Sequence, residues 1–232
     1  MSTIDYSGQI ACVVFLRGCN FRCGFCHNPE LVLGDDKQGV EFSERDVLEF
    51  LSRRLGKLDA VVISGGEPLL SLSFDFVRKI KSMGFKIKID TNGTSPGKLR
   101  ELIDEKLIDC IAMDVKGCAE DYSKICGIDV DVWKIEESMR IVDEFGRGDG
   151  MSEFRTTVVG RFHDLERLKM MGEWMNGVLG RKPKMIFLQG FRRSDSGMID
   201  SDFLRERDVV EEVVLEMRDG VLDLFEGVGI RC

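Results

Sequence analysis

The chain contains no run of about 18 apolar residues, so it has no segment that could cross a bilayer as a helix. Its first residues, Met1-Ser2-Thr3-Ile4-Asp5, lack a basic stretch leading into an apolar one, so no secretory leader is expected. Excess positive charge is also missing. Against 33 Lys and Arg stand 41 Asp and Glu, a net charge of −8. Nucleic-acid binding needs cations clustered against phosphate, and this balance argues against it. Outside one short segment there is no Cys-x2-Cys pair. Eight cysteines in 232 residues do not make the disulfide framework of a short secreted chain, so reduced thiols and a cytoplasmic location are expected. At 43% the apolar residues suffice for a sizeable core, and the length suits a single α/β domain over residues 1–232.

What is present is concentrated in one run, Gly18-Cys19-Asn20-Phe21-Arg22-Cys23-Gly24-Phe25-Cys26-His27-Asn28-Pro29, directly after an apolar, strand-like segment. Three thiolates at this spacing can hold three irons of a cubane cluster and leave the fourth iron without a protein ligand, whereas a four-cysteine carrier closes every position. An open iron is what a cluster needs to do chemistry on a bound molecule. The same residues offer a second reading, zinc held by Cys19, Cys23, Cys26 and His27. Adjacent Cys26 and His27 would then both have to turn inward on one loop. Of the other cysteines, Cys12 and Cys110 lie in apolar runs and read as small buried hydrophobes. Cys118 and Cys126 flank an acidic loop and Cys232 is the last residue; none of the five suggests a second cluster.

Short apolar runs alternate with helical patterns, which predicts repeated βα units and a parallel sheet. The strands are expected at 10–17, 59–64, 86–91, 110–115, 153–159 and 184–190. Val47, Leu48, Leu51, Leu55 and Leu58 form a helical stripe with Ser43 as its N-cap. Further stripes run through Val77, Ile80 and Met83, through Leu99, Leu102, Ile103 and Leu107 behind Pro96, through Val132, Ile135, Met139 and Val142, and through Leu165, Leu168, Met171, Met175 and Val178. An acidic, Val-rich helix is expected over roughly 201–218. Six βα units are too few for a closed eight-stranded barrel.

Parallel α/β folds carry their chemistry at the C-terminal ends of the strands. After the second expected strand comes Ser64-Gly65-Gly66-Glu67-Pro68, two glycines that permit close backbone approach and then a carboxylate. The third strand ends in Asp90-Thr91-Asn92-Gly93 and the fourth in Met113-Asp114-Val115-Lys116. The fifth carries Glu153-Phe154-Arg155-Thr156-Thr157-Val158-Val159, followed by His163; the sixth ends in Gln189-Gly190-Phe191-Arg192-Arg193. Arg155 inside a barrel would need an anionic partner, either a ligand or an acid such as Glu153. His163 reads as a helix-start residue and Arg192 with Arg193 as a basic patch near the open face.

Cys-x3-Cys-x2-Cys with an aromatic residue before the last cysteine is the signature of the radical S-adenosylmethionine (SAM) enzymes, and the chain resembles that superfamily. Within it the chain is similar to the glycyl-radical-enzyme activating group, and there to the activating proteins of anaerobic ribonucleoside-triphosphate reductase. The resemblance rests on Ile4-Asp5-Tyr6-Ser7-Gly8, the cysteine run, Ser64-Gly65-Gly66-Glu67-Pro68, Asp90-Thr91-Asn92-Gly93, Met113-Asp114-Val115-Lys116, Glu153 to Val158 and Phe187-Leu188-Gln189-Gly190-Phe191. Ser7 stands where many relatives have proline.

The resemblance implies an open, partial (β/α)6 barrel. It implies a 4Fe–4S cluster on Cys19, Cys23 and Cys26, with SAM at the open iron. Phe25, Cys26 and His27 would lie along the SAM adenosine, and Gly65, Gly66 and Glu67 would hold its amino group. Asp114 and Lys116 match SAM-contacting positions, Lys116 pairing with the carboxylate, and Asp90, Asn92 and Arg155 complete the expected cofactor surroundings. A monovalent cation flanked by Asp90 and Asp114 is a further implication. An external donor such as flavodoxin or ferredoxin would reduce the cluster. SAM would then break to methionine and a 5′-deoxyadenosyl radical, which removes hydrogen from a glycine α-carbon of a partner glycyl radical enzyme. No side chain is singled out as a catalytic acid or base. The alternatives are an activase of the pyruvate formate-lyase type, a radical SAM enzyme acting on a small molecule or modified base such as a deazaguanine-forming synthase, and a non-catalytic iron–sulfur or zinc protein.

Overall fold

The computed structural model describes residues 1–34, 41–194 and 197–231; Cys232 lies outside them. Seven parallel strands follow one another in chain order across one sheet: β1 Ala11–Leu16, β2 Ala60–Gly65, β3 Lys86–Thr91, β4 Cys110–Asp114, β5 Met151–Val158, β6 Ile186–Gly190 and β7 Val228–Arg231. Among the described residues β1 and β7 do not pair, so the sheet is open. Side chains two strands apart nevertheless meet on one face. Arg155 of β5 reaches Asp90 of β3, Lys88 of β3 reaches Glu153 of β5, and Arg231 of β7 reaches Glu153 as well. Such contacts require that this face be concave, the interior of a partial barrel.

The six expected strands are all present, and β7 is an addition to the expected six-unit barrel. Its Val-Gly-Ile-Arg run is too short and glycine-broken to stand out as a strand in sequence. It becomes one by pairing along β6 from Ile186–Val228 to Gln189–Arg231. Val61, Val62 and Ile63 of β2 are wholly buried in spite of alternating faces, as a strand covered on both sides must be.

The helices are α1 Pro29–Leu33, α2 Glu44–Ser52, α3 Phe74–Ser82, α4 Pro96–Asp104, α5 Tyr122–Cys126, α6 Val132–Arg147, α7 Leu165–Leu179 and α8 Glu211–Asp219. Ser43 caps α2 through a reciprocal pair with Asp46, and Pro96 opens α4, as their positions predict. Met139, Met171 and Met175 are core filler, 0–1% exposed. The expected helix over 201–218 is a correction. Ser201–Arg205 is a short 3-10 turn and α8 begins only at Glu211. Between them Val209 N–H donates to Phe191 O at 2.8 Å, so that stretch extends along the end of β6 instead of coiling.

The N-terminal segment closes the floor of the barrel. Ser2 pairs with Ala11, and Tyr6, 2% exposed, packs against Ala11, Ala60, Val62 and Cys110. No described helix is long and apolar enough to cross a membrane.

Candidate active site

The cysteine loop leaves β1 at Leu16, and its shape is set by backbone contacts. Gly18 has φ +90°, and its N–H donates to Leu31 O at 2.7 Å. The Gly65–Gly66 turn docks directly under this root. Gly66 N–H donates to Leu16 O at 2.9 Å and Glu67 N–H to Gly18 O at 2.8 Å. A Cβ on Gly66 would lie 2.0 Å from Gly18 O, and one on Gly65, where φ is +121°, would lie 2.2 Å from Leu16 O. The two glycines, expected to let the backbone approach a ligand, do allow a close backbone approach within the chain. What approaches is the root of the cysteine loop.

Within the loop the Arg22 guanidinium donates to Cys19 O at 2.7 Å and to Phe21 O at 2.8 Å, holding a tight turn. Phe25 is 6% exposed and sits in an aromatic cluster, 6.1 Å from Phe162 and 5.9 Å from Phe203 between ring centres. His27 Nε2–H donates to Arg192 O at 2.6 Å, which ties the loop to the end of β6 and fixes the tautomer. His27 therefore has this ring nitrogen committed elsewhere. No three His, Cys, Asp or Glu side chains among the described residues gather round one point where a single metal ion would sit. A mononuclear zinc site demands such convergence. A cubane takes each thiolate on a different iron, and the donor set, three cysteines without His27, fits that arrangement.

Glu67 is completely buried, and its carboxylate does not face an open cavity. Its oxygens accept from Thr91 Oγ1 at 2.9 Å, Leu69 N–H at 3.1 Å and Asn92 N–H at 2.5 Å. The side chain so expected to meet an amino group instead ties the ends of β2 and β3 together. Asn92 relays the tie: its Nδ2 donates to Asn20 Oδ1 at 2.9 Å, and Asn20 Nδ2 donates to Thr94 Oγ1 at 2.9 Å. Burial pushes the Glu67 carboxyl up to about 7 from the ordinary 4.5, against the donors that pull it down. Between those values the folded protein keeps a proton the unfolded chain has released. Stability therefore falls as pH rises through that window. Relative to wild type, Glu67→Gln is expected to gain stability as pH rises from about 5 to about 7. Denaturant titrations at the two pH values measure this, and a constant difference refutes it.

The remaining predicted residues line the concave interior as a chain of alternating charge. Arg231 pairs with Glu153 at 2.7 Å, Glu153 with Lys88 at 3.1 Å, and Lys88 with Asp90 at 3.6 Å. Arg155 then bridges Asp90 at 3.2 Å and Asp114 at 2.9 Å, and Asp114 pairs with Lys116 at 3.0 Å. Glu153 is thus not the partner of Arg155. The Arg155 guanidinium stands between the two carboxylates where the resemblance implies a monovalent cation. Despite the desolvation of the interior, the Arg155 and Lys116 charges hold Asp114 well below the usual carboxylate range. Lys116 is held above its ordinary value, burial opposing and Asp114 prevailing. Four cations against three carboxylates leave this chain of seven groups with a surplus of one positive charge. Lys116 carries it nearest the cysteines, where an anionic group such as an amino-acid carboxylate would be neutralised.

His163 is buried, and both ring nitrogens are spent on backbone. Nδ1 accepts from Val159 N–H at 3.0 Å and Nε2–H donates to Lys116 O at 2.9 Å. It fixes the turn after β5 against the end of β4. Sequence reasoning did not find Lys88, Asn20, Phe162, Phe203 or Arg231. A signal for Lys88 existed. The alternation Lys86-Ile87-Lys88-Ile89-Asp90 puts Lys88 and Asp90 on one face.

The model of the radical SAM superfamily matches residues 13–175. A Methanocaldococcus jannaschii protein provisionally assigned as a glycyl-radical enzyme activating enzyme is 38% identical over 173 residues, 73% of this chain and 70% of that protein. The pyruvate formate-lyase-activating enzyme of Clostridium pasteurianum is 34% identical over 134 residues, 55% of this chain and 54% of that enzyme. The chain thus spans about half the length of that second relative. Among solved structures, a radical SAM methyltransferase from Sphaerobacter thermophilus superposes with a TM-score of 0.69 at 13% identity, over 97% of this chain and 67% of that one. That likeness is one of fold. The 4Fe–4S cluster and SAM are the cofactors that membership entails, and the three-cysteine loop, the glycine turn beneath it and the surplus cation beside it suit them. The chain is an enzyme of the radical SAM superfamily, similar in sequence to glycyl-radical enzyme activating enzymes.

Proposed function

We propose that this enzyme installs a glycyl radical on a partner protein, an anaerobic ribonucleotide reductase. The observation that carries the activase reading is the similarity to the Methanocaldococcus protein across both chains. The choice of reductase rests on the resemblance of the whole chain to reductase activating proteins and on the lack of a second cysteine motif. The likeness to the pyruvate formate-lyase-activating enzyme supports a second reading, a partner of the formate-lyase type.

When bound, the cluster and SAM supply one-electron reductive cleavage of the sulfonium, yielding methionine and the means to take one hydrogen atom from a glycine α-carbon. The chain's own residues bind and orient. Cys19, Cys23 and Cys26 would hold the cluster. The backbone of Gly65–Glu67 would meet the amino group and Lys116 the carboxylate of SAM. Phe25, packed with Phe162 and Phe203, would exclude water from the adenosine side. A reductant of the flavodoxin or ferredoxin class would deliver the electron.

The partner's glycine loop would enter at the mouth, beside exposed Arg192. Arg193 is less free, because its side chain and backbone both bind Asp208 at 3.0 Å. Arg192→Glu is therefore the cleaner probe. The test mixes the anaerobic holoenzyme, SAM, a reductant and the candidate partner. A glycine-centred doublet in the electron paramagnetic resonance spectrum is expected, lost when the partner's glycine is changed to alanine. Arg192→Glu should lower the radical yield several-fold while leaving partner-free SAM cleavage unchanged. A radical on a formate-lyase-type partner alone favours the second reading. If no glycyl radical forms while a small molecule drives 5′-deoxyadenosine release, the activase reading is wrong.

A further inference from the structure

Strand β5 alternates. Phe154, Thr156 and Val158 are buried on one face, and Glu153 and Arg155 point into the concave interior on the other. Register then decides where Arg155 lands. It lies directly opposite Asp114 of β4, and Asp90 stands on β3, one strand further. Its Nε–H donates to Asp114 Oδ1 at 2.9 Å and its Nη1–H to Asp90 Oδ2 at 3.2 Å. One guanidinium thus bridges the two carboxylates that the resemblance would place around a monovalent cation. Lys116 Nζ donates to Asp114 Oδ2 at 3.0 Å. Asp90 Oδ1 is buried and accepts no hydrogen bond, but Lys88 Nζ stands 3.6 Å from it. Every oxygen of the pair therefore faces a cationic nitrogen.

This arrangement does not fit a bound metal ion. A hard cation is held by a shell of oxygens turned toward it. Here three of the four carboxylate oxygens accept an N–H bond, and the fourth has an ammonium as its neighbour. Charge argues the same way. Lys88, Arg155 and Lys116 already set three positive charges against the two carboxylates, and a metal ion would make four. Like charges a few ångströms apart repel more strongly in such an interior than in water. Arginine keeps its proton at any pH the protein survives, so its charge is permanent.

We infer that Arg155 is a tethered replacement for the monovalent cation, so that this enzyme holds its interior carboxylates in place without potassium or sodium. Arg155 acts here as a positioning residue. It fixes Asp114, and Asp114 in turn holds Lys116, the cation nearest the cysteines. A charge carried on the strand is always present beside its partners, whereas a free ion must be recruited from solution. The inference does not depend on which partner receives the radical. Only its affinity readout rests on SAM occupying this site.

The test compares the anaerobic wild-type holoenzyme in potassium, sodium and tetramethylammonium chloride at one ionic strength. SAM affinity and thermal midpoint should be the same in all three salts. Thallium(I), a potassium mimic, should show no bound population by NMR. Arg155→Ala opens a space between the two carboxylates, and it should bind SAM several-fold more tightly in potassium than in tetramethylammonium. Arg155→Lys keeps a tethered charge and should stay indifferent to the salt. A merely structural role for Arg155 would not create this selectivity. Wild-type SAM affinity or stability that needs potassium or sodium overturns the inference, as does thallium bound to wild type and displaced by potassium. Arg155→Ala that loads iron and binds SAM equally in every salt overturns it too. If that variant does not fold, the wild-type salt series and the thallium spectrum decide. Wild type that binds no SAM in any salt counts against the cofactor site, and the thermal and thallium readings still judge the cation.

Discussion

Gly66→Ala is expected to abolish most cluster binding, although it adds one methyl group to a residue that carries no chemistry. The Cβ would sit 2.0 Å from Gly18 O and 2.6 Å from Gly18 C. Both are backbone atoms, which cannot swing aside as the tip of a flexible side chain can. The loop root must move, and the hydrogen bonds from Gly66 and Glu67 N–H to Leu16 and Gly18 must lengthen or break. Overpacking of this kind costs about 1–3 kcal/mol in a well-packed site. Here the strain falls one residue before Cys19, so the expected readout is iron content and cluster absorbance after anaerobic reconstitution. Gly97→Ala is the control. It lies in α4 with nothing within 4 Å of the added carbon, and it should load iron like wild type. Full iron loading of Gly66→Ala with only weakened SAM binding would mean that the turn serves the ligand alone and does not brace the loop.

The second large effect is expected from Arg155→Leu. Arg155 is 18% exposed and stands between Asp90, 12% exposed, and Asp114. Leucine fills similar volume but leaves two carboxylates near one another without the cation that separates them. Removing one partner of a buried pair typically costs 3–5 kcal/mol, because the remaining charge is desolvated and unpaired. Lys88 and Lys116 still face the two acids, so about 3 kcal/mol is expected at neutral pH. The sign with pH follows. Without Arg155 the Asp114 carboxyl titrates higher in the folded state, so the deficit shrinks as pH falls and it takes up a proton. Denaturant unfolding of the anaerobic protein at about pH 7.5 and about pH 5 measures both parts. The hydrogen bonds of the Arg155 side chain go to Asp90 and Asp114 and not to the cysteine loop, so iron loading should persist while SAM affinity drops. A variant as stable as wild type at neutral pH would show that the charge chain holds without its central link.

Residues adjacent in sequence made much of this protein legible. The six longer strands, the Ser43 and Pro96 helix starts and the cysteine triplet are local patterns, set by side-chain period, capping chemistry and ligand spacing. The charged strand ends were legible for the same reason, since each follows its strand directly. What those ends contact was not legible. Arg155 was open to a ligand, to Glu153 two residues away, or to another acid. Curvature of the sheet instead brings it to Asp90 and Asp114 on other strands, while Glu153 turns to Lys88 and Arg231. The Glu67 carboxylate looked like a ligand for an amino group. Only the packing of β2 against β3 places three donors around it. The short strand β7 exists through pairing with β6, and the helix expected near 201–218 gives way to an extended stretch because Val209 finds Phe191 O. By itself the sequence determined the cofactor chemistry, because three cysteines on one loop need no distant partner to declare their spacing. The tertiary structure alone decided which charges neutralise one another and what braces the cysteine loop, because those energies depend on separations between strands that no local pattern records.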